Sequence, residues 1–220
     1  VKLRHSDNTD NEIQGSGIPN YLGAPVISPD GKSAWVPSKQ DNIKRGTLRN
    51  TLNLNFQNTV RAISSRIDLT TLAEDYPSRI DHDNSSLASA ATFDATGAYL
   101  FVALETARQV EVVNAIGGKS LFRIEVGLAP QAVTVSQDGT RLYVQNFMDR
   151  TISVIDISPL TKNGEFKTNL VTTTKSIATE KLAATAFRGK QLFYDARDIR
   201  LAGDSYMSCA TCHNDAGHDG

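Results

Sequence analysis

Residues 130–158 read PQAVTVSQDGTRLYVQNFMDRTISVIDIS and set the pattern by which the rest of the chain can be interpreted. An apolar strand is followed by a turn that closes on Gly139, a second strand, a polar loop and a third strand. Asp138 and Gly139 form a hairpin-turn signal, because the turn needs a positive φ that glycine adopts without steric cost. Apolar and polar residues then alternate at 141–145 and 151–156, which is typical of half-buried strands.

The same plan occurs twice upstream, at 24–43 (APVISPDGKSAWVPSKQDNI) and at 89–115 (SAATFDATGAYLFVALETARQVEVVNA). The turn glycines are Gly31 and Gly97, and the second lies 42 residues before the glycine of the third repeat. This is the period of a four-stranded propeller blade. The first two glycines are 66 residues apart, which indicates an insertion of about 24 residues in the polar, Asn-rich stretch 41–59.

These repeats resemble YVTN-type β-propeller blades, which carry an SPDG-like turn, a YV strand and a VxVID strand. The resemblance covers residues 20–160 and implies a mainly β fold, a partial β-propeller of about three four-stranded blades over residues 1–176. Asn169–Thr174 would begin a further blade. A closed propeller needs about four to eight blades, so blades are missing or the arc is open. A β-sandwich is the alternative, and the 42-residue spacing argues against it.

The character of the sequence changes after Ser176. The stretch 180–194 (EKLAATAFRGKQLFY) predicts a helix with Thr179 as N-cap and an interruption at Gly189. Its predicted apolar face consists of Leu182, Ala186 and Phe193. We therefore expect residues 177–220 to form a short α-helical unit after the blades.

The cysteines of the chain both lie in Cys209–Ala210–Thr211–Cys212–His213, the Cys-x-x-Cys-His signature of c-type haem attachment. Two thiols so spaced on a helical turn can each add to one haem vinyl group, and the adjacent imidazole then becomes the proximal iron ligand. We predict one haem c, attached through Cys209 and Cys212, with His213 bound to its iron. Covalent attachment allows a short segment to hold the cofactor.

Three other interpretations of the motif remain open. A thioredoxin-like redox pair would need a βαβ context with the motif at a helix start, whereas this motif follows an irregular loop. A zinc site needs four ligands, for which the candidates are Cys209, Cys212, His213 and His218. The third is a pair of inert buried cysteines, which their register with the histidine disfavours.

The residues around the motif, 188–220, resemble the start of the first cytochrome domain of the di-haem cytochrome c peroxidase family. In that family G-K-x-L-F-x-D, a short loop, S-C-x-x-C-H and a D-G pair follow in order. The matching positions are Gly189, Lys190, Leu192, Phe193, Asp195, Ser208, Cys209, Cys212, His213, Asp219 and Gly220. The resemblance implies that 177–220 is the N-terminal part of a cytochrome c domain, with Leu192 and Phe193 packed against the porphyrin. Unlike that family, the chain has one such motif.

No distal iron ligand can be identified from the sequence. Met207 and His218 lie too close to His213 to reach the opposite haem face. Three residues of the repeat region are better explained as members of a blade loop, a polar loop and a frayed terminus, respectively: Met148, His82 and His5. Three oxygen-bearing residues could approach Ca²⁺, but they lack the Gly and bidentate Glu of an EF-hand loop, which favours a solvated turn: Asp81, Asp83 and Asn84.

The composition is that of a soluble globular protein, with 40% hydrophobic and 21% charged residues and a formal net charge of −1. This charge gives no reason to expect nucleic acid or an anionic membrane as partner. The longest apolar run, 98–104 (AYLFVAL), is too short to span a bilayer. The chain starts without Met or a signal-peptide apolar region, so we expect a piece of a larger protein.

The function expected from these features is single-electron exchange between the haem and a redox partner protein, with the blades as a docking face. Covalent haem attachment implies an extracytoplasmic location, in the bacterial periplasm or at the cell surface. A cytochrome c peroxidase-like oxidoreductase is the second hypothesis, and it would need a further haem or electron source. The third is a binding module with an unloaded cytochrome segment. Propellers host many functions, so the fold cannot decide between them.

Overall fold

The strands form three antiparallel sheets in the computed structural model, which describes residues 1–11, 13–44, 51 and 55–217. The strands are β1 (Ile18–Asn20), β2 (Val26–Ile27), β3 (Ser33–Asp41), β4 (Val60–Asp68), β5 (Ala73–Glu74), β6 (Ile80–His82), β7 (Ala88–Phe93), β8 (Tyr99–Leu104), β9 (Gln109–Asn114), β10 (Lys119–Glu125), β11 (Pro130–Val135), β12 (Arg141–Asn146), β13 (Thr151–Asp156) and β14 (Asn169–Lys175). The helices are α1 (Phe56–Thr59), α2 (Ser158–Asn163), α3 (Ala184–Tyr194) and α4 (Cys209–Cys212), with 3₁₀ turns at Tyr76–Ser78, Gly203–Ser205 and Asn214–Ala216.

Each sheet has the same four strand positions. In the second sheet β7, β8, β9 and β10 pair in sequence order, and in the third sheet β11 to β14 do the same. The first sheet contains six strands, but β1 and β2 both pair with β3, and β5 and β6 both pair with β4. The first position of this sheet is therefore shared by the short strands β1 and β2, and its last position is shared by β5 and β6. The predicted mainly β, propeller-like architecture is confirmed for the described residues.

One boundary of the prediction is wrong. Asn169–Thr174 does not begin a further blade, because it belongs to β14, which pairs with β13 as the outermost strand of the third sheet. Helix α2 lies between β13 and β14 and ends at Gly164, whose φ is +70°. This inserted helix delays the fourth strand, and the delay made the strand look like the start of another repeat.

The insertion predicted at 41–59 lies where the spacing placed it, between the end of β3 and the start of β4. Its last four residues form α1, whose N-cap Asn55 accepts a hydrogen bond from the backbone N–H of Gln57. The remainder of the stretch includes 45–50 and 52–54, which lie outside the described residues.

The hairpin turns have the predicted left-handed glycines. Their φ angles are 70°, 75° and 67° at Gly31, Gly97 and Gly139. In the third turn, the Ser136 hydroxyl donates to the Asp138 carboxylate at 2.6 Å, and the Thr140 N–H donates to it at 3.0 Å. The side-chain hydrogen bond from Ser136, followed by the one from the Thr140 backbone, lowers the pKa of Asp138 to about 2. In the third turn the Asp138 carboxylate therefore fixes the start of β12.

The sheets pack face to face through two apolar clusters. The cluster between the first and second sheets contains Trp35, Ala62, Ile80, Ala88, Phe93, Leu100, Val102, Leu104, Ala107 and Val113. The cluster between the second and third sheets contains Phe101, Val110, Val112, Ile124, Leu142, Val144, Ile155, Ile157 and Leu160. Leu100 and Phe101 belong to different clusters because successive side chains of a strand point to opposite faces.

An aromatic residue stands four positions after each turn glycine, on the face directed toward the following sheet. Trp35 is 2% exposed and Phe101 is 0% exposed, because the second and third sheets cover them. Tyr143 is 37% exposed. In the described part of the chain, the corresponding face of the third sheet has no sheet packed on it.

The C-terminal unit begins its helix later than the sequence predicts. Helix α3 starts at Ala184, with Ala183 rather than Thr179 at the N-cap, and it runs through Gly189 without interruption. The reason lies before the helix, where the Glu180 carboxylate is held by two contacts. It receives the guanidinium of Arg150 at 3.0 Å and the N–H of Leu182 at 2.9 Å.

The predicted apolar face of this helix is also wrong in two of its three members. Leu182 precedes the helix and is 42% exposed, and Ala186 is exposed as well. Phe193 alone packs into an apolar cluster, beside Tyr194. Within the described residues, no helix has the length and apolarity that crossing a membrane requires.

The repeat supplies a matched pair of substitutions. Phe101→Ala should lower the free energy of unfolding by about 3–5 kcal/mol, because it leaves a cavity between two sheets. Tyr143→Ala, at the equivalent position of the third sheet, should lower it by about 1 kcal/mol or less. Urea unfolding followed by circular dichroism measures both. Equal losses would show that the outer face of the third sheet is covered as fully as that of the second.

Candidate functional site

The Cys-x-x-Cys-His sequence forms the single helical turn α4, with His213 at its C-cap. The backbone N–H of Ser208 donates to the Thr211 hydroxyl at 3.0 Å, and the N–H of His213 donates to the Cys209 carbonyl at 2.9 Å. These bonds close the turn at both ends. The motif therefore forms a closed helical turn.

The backbone side of the turn is buried against the sheets. Ala210 is 1% exposed and Thr211 is 0% exposed. The Thr211 hydroxyl lies 2.9 Å from the Ser86 hydroxyl, which in turn lies 2.8 Å from the hydroxyl of Thr106. Lys39 donates from Nζ to the Thr211 carbonyl at 2.9 Å. Strand β3 of the first sheet, the connection between β6 and β7 and the turn after β8 together hold the motif.

The chain before the motif is attached to the same sheets. The buried Tyr206 hydroxyl donates to the Val60 carbonyl at 3.0 Å, and burial raises the pKa of this hydroxyl. The Arg108 guanidinium pairs with Asp195, with 2.9 Å from Nε to Oδ1. The segment 194–212 is therefore attached to the β-sheet body by contacts at several points.

The reactive side chains face the other way. Cys209 is exposed, Cys212 is half-buried, and both are thiols. His213 is exposed, and its Nδ1 lies 3.0 Å from the Gly217 carbonyl oxygen. Because a carbonyl can only accept, Nδ1 carries the proton in the neutral imidazole and Nε2 presents its lone pair. This is the arrangement that metal-ligating histidines adopt.

The structure brings one of the two predicted porphyrin-packing residues to the motif. Phe193 is half-buried and packs in a cluster with Leu128, Ala129, Phe147, Met148, Tyr194 and Ala210, the last of which is the second residue of the motif. Leu192 is half-buried and lies outside that cluster. The porphyrin contact of both residues remains a prediction.

Of the residues weighed as distal ligands, Met148 belongs to the apolar cluster that contains Ala210 of the motif, whereas the partners of His5 and His82 lie outside that cluster. Met148 is fully buried in the turn after β12, as an ordinary blade-loop residue, and its carbonyl accepts from Gln191. The terminus around His5 is not frayed, because Ser6 pairs with Gly17 and Arg79 donates to the Arg4 carbonyl at 2.6 Å.

His82 is not in a polar loop. It is the last residue of β6, 0% exposed, with Nε2 at 2.8 Å from the Ser64 hydroxyl and Nδ1 against the Glu111 carboxylate. The alternation of β6 places Asp81 outward and His82 inward, and this polar strand was mistaken for a loop. Both ring nitrogens are engaged, so His82 is a structural residue between the first and second sheets.

The possible calcium ligands pair with an arginine instead. The buried Arg61 guanidinium contacts Asp81 at 2.5 Å and Asp83 at 2.8 Å. Among the described residues, no three His, Cys, Asp or Glu side chains group as a metal site. The zinc interpretation also includes His218, and the family-like D-G pair is Asp219–Gly220; these three residues lie outside the described part of the chain.

Sequence reasoning missed the buried charges that join the sheets. Burial alone would raise the pKa of Glu111, but the hydrogen bond with His82 and the nearby Arg123 guanidinium, 3.0 Å away, lower it to about 2. The available signal was a single glutamate between the valines of the strand QVEVVN. Such a residue in a buried strand requires a partner from elsewhere in the chain.

Two of the three reactive side chains of the motif, Cys209 and His213, are exposed on the surface. One cavity of about 400 Å³ is formed by residues outside the motif. Its walls are Tyr21, Leu22, Gly23, Ser89, Glu105 and Gln131.

Comparisons with known proteins support the fold alone. Hydrazine synthase from Kuenenia stuttgartiensis superposes with a TM-score of 0.54 and 17% identity, over 63% of this chain and 46% of that one. A functionally unknown protein from Desulfotomaculum acetoxidans gives 0.49 and 15%, over 71% and 43%. The β-propeller domain of Myceliophteria thermophila Cps50 (Swd1) gives 0.46 and 12%, over 70% and 58%.

The chain thus spans less than two thirds of the length of each of these structures. No protein-family model matches it, and no curated protein matches it either.

The buried Glu111 leads to a pH-dependent prediction. Its pKa is about 2 in the folded protein against an ordinary 4.5, so its stabilising contribution is complete above about pH 4.5 and is lost as the pH falls toward 2. Glu111→Gln should therefore be less stable than the native protein near pH 6, and this difference should shrink near pH 3. Urea unfolding at both pH values measures it, with the exposed Glu165→Gln as control. A difference that is the same at both pH values would contradict the assignment.

Proposed function

We propose that this chain carries one c-type haem at Cys209, Cys212 and His213 and exchanges single electrons with a redox partner protein. The observation that carries the proposal is the two-sided geometry of α4. Its backbone is buried against the sheets, whereas Cys209 and His213 are exposed and Cys212 is half-buried. The motif supplies the chemistry, and the geometry keeps it accessible to a large planar group.

The donor set fits the group. Each thiol can add across a vinyl double bond, so that a carbon–sulfur bond forms and the thiol proton passes to the other vinyl carbon. When bound, the haem supplies the one-electron couple of its iron, whose potential depends on the axial ligand and its hydrogen bonds. His213 is prepared as that ligand, because the Gly217 carbonyl fixes its tautomer. A lone axial histidine also needs no cluster of metal-binding side chains.

The body of the protein has a positioning role in this proposal. Lys39 of the first sheet and Ser86, in the connection from the first sheet to the second, hydrogen-bond to Thr211, and Phe193 packs against the cluster that contains Ala210. Because the motif is attached to the rest of the protein at several points, the site can rearrange little when the haem iron gains or loses an electron. The sheets then offer the redox partner a rigid surface next to the motif.

The location that we propose is extracytoplasmic, in the bacterial periplasm or at the cell surface, because the thioether bonds of c-type haem are made after export. The cytochrome c-like character of 177–220 is part of the same proposal. It is supported by the order of Gly189, Lys190, Phe193 and the Cys-x-x-Cys-His motif in the sequence.

A binding module without cofactor is the second candidate. It is favoured by the outer face of the third sheet, where Tyr143 is exposed and Ile152 is half-buried in the described structure. Peroxidase activity ranks below both, because it requires an electron source in addition to the single motif of this sequence.

The proposal is tested by producing the chain with an export signal and a cytochrome c maturation system. We expect a reduced-form spectrum with sharp c-type bands and a mass increase of one haem that survives denaturation. The double variant Cys209→Ser with Cys212→Ser should lose all covalent haem, and His213→Ala should lose most of it. His5→Ala, which removes a histidine whose side chain contacts Asp7 near the N-terminus, is the matched control and should keep the haem.

The contrary result is equally clear. Exported, matured protein that is colourless, with both thiols still reactive toward a thiol reagent, would exclude the electron-transfer function. The binding module would then be the remaining candidate.

A further inference from the structure

A lysine side chain from the first sheet is buried beneath the motif. Lys39 lies in β3 and is 172 residues from Thr211 in sequence, yet its side chain is only 4% exposed and its Nζ contacts the Thr211 carbonyl. A buried ammonium is costly unless hydrogen bonds and an opposite charge compensate for the lost water. The groups that compensate the buried ammonium of Lys39 therefore indicate its structural role.

Two of the three partners belong to the motif and the residue after it. The ammonium donates to the Thr211 carbonyl at 2.9 Å and lies 3.3 Å from Asp41 Oδ2. In the amide orientation that satisfies both of its ends, Asn214 accepts from Lys39 at 3.0 Å and donates to the Ala210 carbonyl at 3.2 Å. Without the α4 segment, only Asp41 would remain as a compensating group among these partners.

The contact falls on the peptide group that joins Thr211 to Cys212. Holding this carbonyl fixes the rotation of the single turn about its axis, and so determines which cysteine is exposed and which is half-buried. The hydroxyl contact from Ser86 to Thr211 acts on the same residue but carries no charge. Lys39 thus combines a charge-assisted bond, about twice as strong as a neutral one, with a positive charge beside the motif.

We infer that Lys39 is a positioning residue for the haem-attachment turn: its ammonium fixes the Thr211–Cys212 peptide against the first sheet and raises the reduction potential of haem bound there. The inference rests on the proposed function. The potential follows from charge, because a nearby cation favours the reduced and less positive state of the iron. Asp41 opposes this effect, and so the two members of the pair influence the potential with opposite signs.

The positioning role can be tested in the protein without haem. At a pH where the thiols are fully ionised, so that loss of the lysine charge does not change the thiolate fraction, Cys212 of Lys39→Met should be alkylated by iodoacetamide about tenfold faster than in the native chain, as expected for the loss of a hydrogen bond to a charged group. The rate at the exposed Cys209 should not change. Ser86→Ala removes the neutral bond and should give a smaller increase at Cys212. Peptide mapping by mass spectrometry separates the two sites.

The charge is tested in the matured protein by redox titration. Lys39→Met and Lys39→Gln should both lower the midpoint potential, whereas Asp41→Asn should raise it and Ser86→Ala should leave it unchanged. The glutamine side chain is neutral and one bond shorter but keeps an N–H donor, so this variant should alkylate at Cys212 more slowly than Lys39→Met. A merely structural role would not produce opposite shifts for Lys39 and Asp41.

The outcomes are distinguishable from failure of the proposed function. A native chain that never takes up haem would exclude electron transfer, while the alkylation rates would still decide the positioning role. Unchanged Cys212 reactivity in Lys39→Met would overturn the inference, as would potentials that shift in the same direction for Lys39 and Asp41 variants. If Lys39→Met does not fold, Lys39→Gln carries the test, and an unchanged potential in that variant overturns the inference.

Discussion

A sheet that is apolar on both faces must be covered on both faces, and this constraint organises the molecule. The second sheet is the clearest case, since Leu100 and Val102 face the first sheet while Phe101 and Val112 face the third. Burying such side chains at about 25 cal/mol per Å² provides the main driving force for stacking the sheets. The second sheet cannot exist by itself, and its neighbours are held at the spacing that its side chains set.

The same constraint shows why the two ends of the stack differ. The outward face of the first sheet is covered in part by the N-terminal segment, where Gln40 donates to the Gly15 carbonyl at 2.9 Å. On the third sheet the equivalent of Phe101 is Tyr143, which tolerates water through its hydroxyl. The outward face of the first sheet is therefore partly buried, whereas the outward face of the third sheet is a solvent-exposed surface. The Cys-x-x-Cys-His turn contacts Lys39 of the first sheet, the connection to the second sheet, and the apolar cluster that includes Met148 in the turn after β12.

Local features of the sequence were enough to predict most of the sheets. A turn glycine with positive φ and alternating residues on each side specify a hairpin wherever it occurs, so Gly97 and Gly139 marked the second and third sheets correctly. What failed depended on distant partners. Helix α3 starts late because Arg150, in a blade turn, holds Glu180, and His82 looked like a loop residue because its partner Glu111 lies 29 positions away. No pattern within a short window contains such information.

The candidate site also combines features that a short stretch of sequence predicts with features that depend on distant residues. Its reactive groups were evident from five consecutive residues, because their spacing is itself the chemistry. Its support was not evident, since Lys39, Ser86 and Thr106 are ordinary polar residues until the fold brings them beneath Thr211. Buried polar groups add little net stability when satisfied, but they are costly when unsatisfied, so they select one arrangement over others. An exposed reactive turn can therefore be held in one orientation only from its buried side, and in this molecule that side belongs to the sheets.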